Sequence, residues 1–233
     1  KEHTKAECQR GGPAHGYMRF SPADKWISNE LQRVEAAVAE GFASYRLDNV
    51  ANAIYQYVWD AYCDWYLEIA KVQIQTGDAA QQRATRRTLI RTLETILRLL
   101  HPVAPFVTAE LWDTVAVVAG RKAAGSADTL ASATYPQAQL DKIDPASDAW
   151  MDRLKTVVAA SRSLRSEMGL SPAERVPMLA TGDAAFIDAA APLIQALAKL
   201  SGIRRIDDDA TFATESASAP VAVGAGWSDD AGR

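Results

Sequence analysis

Three groups of side chains in this sequence are of types that do chemistry. The densest lies at 59–68, where Trp59, Tyr62, Trp65 and Tyr66 crowd together with Asp60, Asp64 and Glu68. An amphipathic helix hides aromatics and shows acids, and here the pattern is dense enough that one face should do more than meet water. Asp60 and Asp64 stand one helical turn apart and could share a cation, but a cation site needs several more oxygens than two carboxylates give. The second group is a row of arginines, Arg83, Arg87, Arg91 and Arg98, with Glu94 on the same side. Such a row is either a solvated face carrying an Arg91–Glu94 pair or a set of phosphate contacts. The third group is His3, Cys8 and His15, whose spacing fits no zinc pattern and lacks a fourth ligand. His101 precedes a proline at a helix end and reads as a capping or packing histidine. No Ser/His/Asp or Cys/His arrangement, P-loop or G-x-G-x-x-G run is present, so the sequence offers no catalytic residue and no metal site.

The elements that must carry these groups are mainly helical. Ser21-Pro22-Ala23-Asp24 is a helix start: a capping serine, proline in the first turn and an acid near the positive end of the dipole. Ile27, Leu31, Val34 and Val38 share one face, and Gly41 is expected to end the helix, giving 22–40. Asp48 is expected to cap a second helix that Gly77 closes, with Ile54, Val58, Tyr62, Trp65 and Ile69 as its buried stripe and Tyr55, Trp59 and Tyr66 as a second one. Asp78 caps a third helix over 79–100, with Leu89, Leu93, Ile96, Leu97 and Leu100 facing the core. Pro102 breaks it, and a fourth helix resumes near Pro105 and carries Phe106, Leu111, Trp112, Val115 and Val118. Residues 120–147 read as loop. A fifth helix over 145–168 points Leu154, Val157, Val158 and Ser161 inward and Arg153, Lys155, Arg162 and Arg165 outward. A strand over 176–181, a helix over 184–200 and strands at 203–206 and 220–225 then make a small α+β unit. The fold class is therefore mainly α, a helical bundle followed by a small α+β module.

Composition bounds the rest. With 233 residues the chain can bury a substantial core. No apolar run approaches the ~18–20 residues that span a bilayer, and the first 21 residues lack the apolar stretch of a signal peptide. Two cysteines make no disulfide framework, which suits a reducing cytoplasm. Lys and Arg number 25 against 29 Asp and Glu, a net charge of −4; that argues against a general nucleic-acid coat and leaves room for a local basic face. The chain opens on Lys1 rather than Met, and reads as a stretch of a longer protein.

Three motifs carry a family resemblance: Tyr45-Arg46-Leu47-Asp48, the run from Trp59 through Cys63-Asp64-Trp65-Tyr66-Leu67-Glu68 to Lys71, and Leu100-His101-Pro102 through Pro105-Phe106 to Leu111-Trp112. They resemble the anticodon-binding region of class I valyl-tRNA synthetases, with Ala109 where the last motif usually has an acid. The resemblance covers about 17–227 and implies a connecting loop at 1–20, an anticodon-binding bundle at 21–120, a linker at 121–147, a small α+β domain at 148–228 and a tail at 229–233. It implies tRNA(Val) as partner, a cytoplasmic monomer with no membrane role, and an anticodon site at Leu67 and Glu68 with Asp64 and Lys71 as neighbours. Arg83, Arg87 and Arg91 become candidate phosphate contacts. Unpaired anticodon bases are read by stacking and edge hydrogen bonds, which suits an aromatic-rich helix with exposed polar groups. Both activation signatures of the class, the H-x-G-H and K-M-S-K-S types, are missing, so the chain is expected to be non-catalytic and to need no cofactor, with ATP and magnesium belonging to the parent enzyme. The same domain from an isoleucyl or leucyl enzyme remains open, as does a helical protein-interaction module with no RNA role.

Overall fold

Ser21 starts the first helix as its sequence predicts. Its hydroxyl accepts from the Asp24 amide at 3.0 Å, and the Asp24 carboxylate accepts from the Ser21 amide at 2.9 Å, a complete capping box. The computed structural model describes residues 17–171 and 173–206 and the backbone of Val221–Val223; His3, Cys8 and His15 and the expected tail at 229–233 lie outside them. The chain divides into two units at Pro145/Ala146.

In the first unit, α1 (Pro22–Ala43) packs against one long helical rod. The rod comprises α2 (Leu47–Gln56), a π-helical stretch (Tyr57–Tyr66) and α3 (Leu67–Thr76); α4 (Ala79–Leu100) and α5 (Pro105–Val118) follow. Gly77 and Asp78 divide α3 from α4 as expected, the Asp78 carboxylate accepting from the Gln81 amide at 2.9 Å. Residues 121–145 pack back onto the helices. Leu130 joins Leu97, Trp112, Val115 and Ala116 in a core cluster, the Tyr135 hydroxyl donates to Leu99 O, and Asn29 bonds both backbone groups of Asp144.

Several expectations are corrected here. Gly41 does not end α1. The helix runs to Ala43 and closes where the Tyr45 and Arg46 amides donate to the Phe42 and Gly41 carbonyls, with Tyr45 in the left-handed region at φ 57°. Gly41 is needed for a close approach instead, since a Cβ there would stand 2.6 Å from Val50 Cγ2. Asp48 is not a cap either; α2 starts from Arg46 without a side-chain cap, and Asp48 sits in its first turn paired to the Arg46 guanidinium. Of the residues expected inward on α4, Ile96 and Leu97 are buried, while Leu89, Leu93 and Leu100 are only half-buried; Thr85, Thr88, Thr92 and Thr95, all buried, make up much of its inner face.

In the second unit, α6 (Pro145–Glu167) precedes β1 (Val176–Ala180), α7 (Ala184–Leu197), β2 (Leu200–Arg205) and β3 (Val221–Val223). The strands form one parallel sheet in the order β2-β1-β3. Alternation is weak in β1 because parallel strands are apolar on both faces. Leu154, Val157, Val158, Met178, Leu193 and Ile194 form the core. The helix expected to reach residue 200 stops at Leu197, because Leu200 pairs with Val176 and begins a strand. Arg165, expected outside, is 7% exposed; it donates to the carbonyls of Lys199, Ser171 and Glu174, which closes the loop after α6 onto β2.

Candidate nucleic-acid interface

Three tyrosines set the rotation of the long rod. Tyr57 donates to Ile27 O at 3.1 Å, Tyr62 to Leu89 O at 3.2 Å and Tyr66 to the Asp24 carboxylate at 2.6 Å. Their intervals are five and four residues. An α-helix turns about 100° per residue and would carry Tyr62 well off the Tyr57 face. The wider i→i+5 bonding of this stretch, seen where the Leu67 amide reaches Tyr62 O, brings all three to one side. The expected stripe is corrected accordingly: Tyr66 is fully buried, Trp65 and Val58 are half-buried, and Tyr55 and Trp59 are exposed. The two exposed rings lean on each other at 6.2 Å.

Asp24 anchors the other end of this arrangement. Gln73 Nε2 donates to Ser21 Oγ at 2.7 Å and Thr85 Oγ1 to Gln73 Oε1 at 2.9 Å, so the starts of α1 and α4 and the end of the rod meet in one polar network. Burial pushes the Asp24 carboxyl up from its ordinary value, and the hydrogen bonds from Tyr66 and Ser21 only partly offset that. Burial, then the neighbouring Asp24, raises the Tyr66 phenol, so it stays a donor.

With that inner side fixed, the outer side of the rod is fixed too. Asp64, Glu68 and Lys71 are exposed and Leu67 is half-buried. Lys71 Nζ bonds Glu68 Oε1, an exposed i,i+3 ion pair that stabilises the helix little. The surface thus brings together an acceptor, a cation and an apolar side chain, the kinds of group that read the edge and face of an unstacked base.

The arginine row divides. Arg83 is committed to the segment before α1: its Nε donates to Tyr17 O at 2.9 Å and its guanidinium lies 4.6 Å from the Tyr17 ring centre. The expected Arg91–Glu94 bridge is replaced. Fully buried Glu94 has Arg98 Nε at 2.6 Å and Arg121 Nε at 3.2 Å, the latter from the turn after α5. Sequence reasoning missed Arg121, since only the fold brings it beside α4; the one hint is its place just after Gly120. Arg87 and Arg91 point into a groove beside α1. His101 Nδ1 is 2.8 Å from the Thr108 hydroxyl, a packing role. Among the described residues no group of three or more His, Cys, Asp or Glu is placed to hold a metal, and no helix is long and apolar enough to cross a membrane.

The sequence matches the family model described as the anticodon-binding domain of tRNA ligase over residues 24–180. The chain belongs to this family. As an anticodon-binding domain it is similar to the valine–tRNA ligase of Dechloromonas aromatica, 53% identical over 220 residues, which are 93% of this chain and 23% of that protein. It is 44% identical to the valine–tRNA ligase of Laribacter hongkongensis over 88% of this chain and 21% of that protein. With the valine–tRNA ligase of Neisseria meningitidis serogroup A it shares 40% identity over 93% and 22%. The chain therefore spans less than a quarter of the length of these relatives. Both the Asp64–Lys71 surface and the arginines from Arg83 to Arg121 fall inside the matched span.

Proposed function

We propose that this chain is the part of a valine–tRNA ligase that binds and positions the anticodon stem-loop of tRNA(Val), and that it does no catalysis itself. The parent would attach valine to tRNA using ATP and magnesium and hydrolyse mischarged threonyl-tRNA; this part would hold the tRNA so that its acceptor end reaches the active site. The observation that carries the reading is the exposed set of Asp64, Glu68 and Lys71 with Leu67 beside it, on a rod whose inner side is pinned by three tyrosine hydroxyls. Phosphate repels a carboxylate, so Glu68 serves as an acceptor from a base amino group, while Leu67 offers an apolar contact and Arg87 and Arg91 offer phosphate contacts.

The test is Glu68→Ala in the whole ligase, charging wild-type tRNA and tRNAs with altered anticodons. The cognate tRNA should lose roughly 1–3 kcal/mol of transition-state stabilisation, as for other base-edge contacts, with little change for the altered ones. Unchanged discrimination would remove Glu68 from the site, and an equal loss for every anticodon would make its role structural.

A further inference from the structure

Between α1 and α4 lies a groove of about 260 Å³ whose charged lining, among the described residues, is wholly basic. Arg87 and Arg91 come from α4 and Arg121 from the turn after α5; Ser28, Gln32 and Thr88 add hydroxyl and amide groups. Among the described residues no carboxylate lines it, and no residue of the long rod does, so it is separate from the Asp64–Lys71 surface. Among the described residues, Arg87 and Arg91 make no ion pair. Arg121 has one, through its Nε to Glu94, which is shared with Arg98, so the two outer nitrogens of the Arg121 fork keep their donors. Arg91 is shifted down from the ordinary arginine value by burial and then by repulsion from Arg121 and Arg87.

We infer that this groove is a phosphate site, in which Arg87, Arg91 and Arg121 together receive a backbone phosphodiester of bound RNA. Glu94 pairs with Arg121 and is shared with Arg98, so the three groove guanidiniums keep an excess of positive charge; a phosphate offsets that excess while accepting from their planar donor forks. The groove opens to solvent, and the ring of Phe20, 44% exposed, gives its lining an apolar surface for a sugar or base. The RNA assignment rests on the proposed function; the phosphate chemistry does not. The identity of the third arginine is the step beyond the sequence, which pointed to Arg83. Arg83, stacked on Tyr17, does not line the groove, and Arg121 does.

Two measurements on the whole 233-residue chain test this with the Arg87→Gln/Arg91→Gln double variant, whose lost side chains make no ion pair in the fold. In the first, an anticodon stem-loop RNA is titrated across a salt series. The double variant should weaken binding for every anticodon alike and flatten the slope of log K against log salt by about one, whereas Glu68→Ala should alter discrimination and leave the slope alone. In the second, inorganic phosphate is added against chloride at matched ionic strength, and the side-chain Nε–Hε resonances of Arg87, Arg91 and Arg121 should move together. RNA binding with intact anticodon discrimination and an unchanged slope in the double variant would overturn the groove and leave the proposed function standing. Phosphate-induced shifts at the three arginines without RNA binding would uphold the phosphate site and overturn its RNA occupant. Absence of both the shifts and the slope change would overturn the inference entirely.

Discussion

Replacing Glu35 by glutamine should make the protein more stable above neutral pH and leave it nearly unchanged in mild acid. Glu35 sits on the inner side of α1, 6% exposed. Its pKa is raised from 4.5 to about 7, because burial penalises the carboxylate more than the charge of Arg98 and a hydrogen bond from Gln32 favour it. Between pH 4.5 and about 7 the folded protein keeps a proton that the unfolded chain has released. That contribution to stability is fully present below 4.5 and is lost as pH rises through 7. At ~1.4 kcal/mol per pH unit the window is worth up to about 3 kcal/mol. Glutamine keeps the shape and the bond to Gln32 but has no charge to desolvate. Urea unfolding of parent and Glu35→Gln protein at pH 4.5, 6, 7 and 8 should give a difference that grows to about 2–3 kcal/mol in favour of the variant at pH 8. The other carboxylates cancel in that difference. A difference that is flat with pH, or a variant less stable than the parent at pH 8, would refute the reasoning.

Two more outcomes can be checked by unfolding and hydrogen exchange. Gly41→Ala should destabilise by about 1–3 kcal/mol despite the better helix former, because its Cβ would overpack Val50 Cγ2 at 2.6 Å; adding Val50→Ala should recover part of that loss, and a stabilised single variant would sink the argument. Arg165→Ala leaves three carbonyls without their donor and should cost about 2–4 kcal/mol, seen as faster amide exchange over Val176–Ala180 with the bundle amides unchanged; unaltered protection there would show that the loop closes without it.

Caps and helix limits set by local chemistry were legible in the sequence. Ser21, Asp78 and Pro105 begin helices where their side chains and φ preferences say they should. What escaped depends on partners distant in sequence. A 3.6-residue period placed Trp65 inward and grouped Tyr66 with Tyr55 and Trp59, because nothing local shows that Asp24 waits for the Tyr66 hydroxyl. Threonine counts as neutral in a hydropathy pattern, yet Thr85, Thr88, Thr92 and Thr95 make up much of the inner face of α4, since small side chains let α1 come close and hydroxyls can bond within the helix or across it. Arg165 looked like a surface cation because its partners are backbone carbonyls, which no residue type advertises. Of the candidate site, the rod's exposed residues were readable; Arg121 was not, because a charge becomes part of a cluster only when a turn delivers it.

The interval of five between Tyr57 and Tyr62 bears on how the chain can change length. Loops are where insertions and deletions usually pass without harm, because a helix that gains or loses one residue turns its whole downstream face by about 100°. Removing one residue from α4 would swing its threonines out of the interior. Removing one between Tyr57 and Tyr62 would instead leave them four apart, a spacing that an ordinary α-helix places on one side. Both hydroxyls could then still reach their acceptors, and the outer surface from Asp64 to Lys71 would keep its heading. Here a helix interior carries the slack that most proteins keep in their turns.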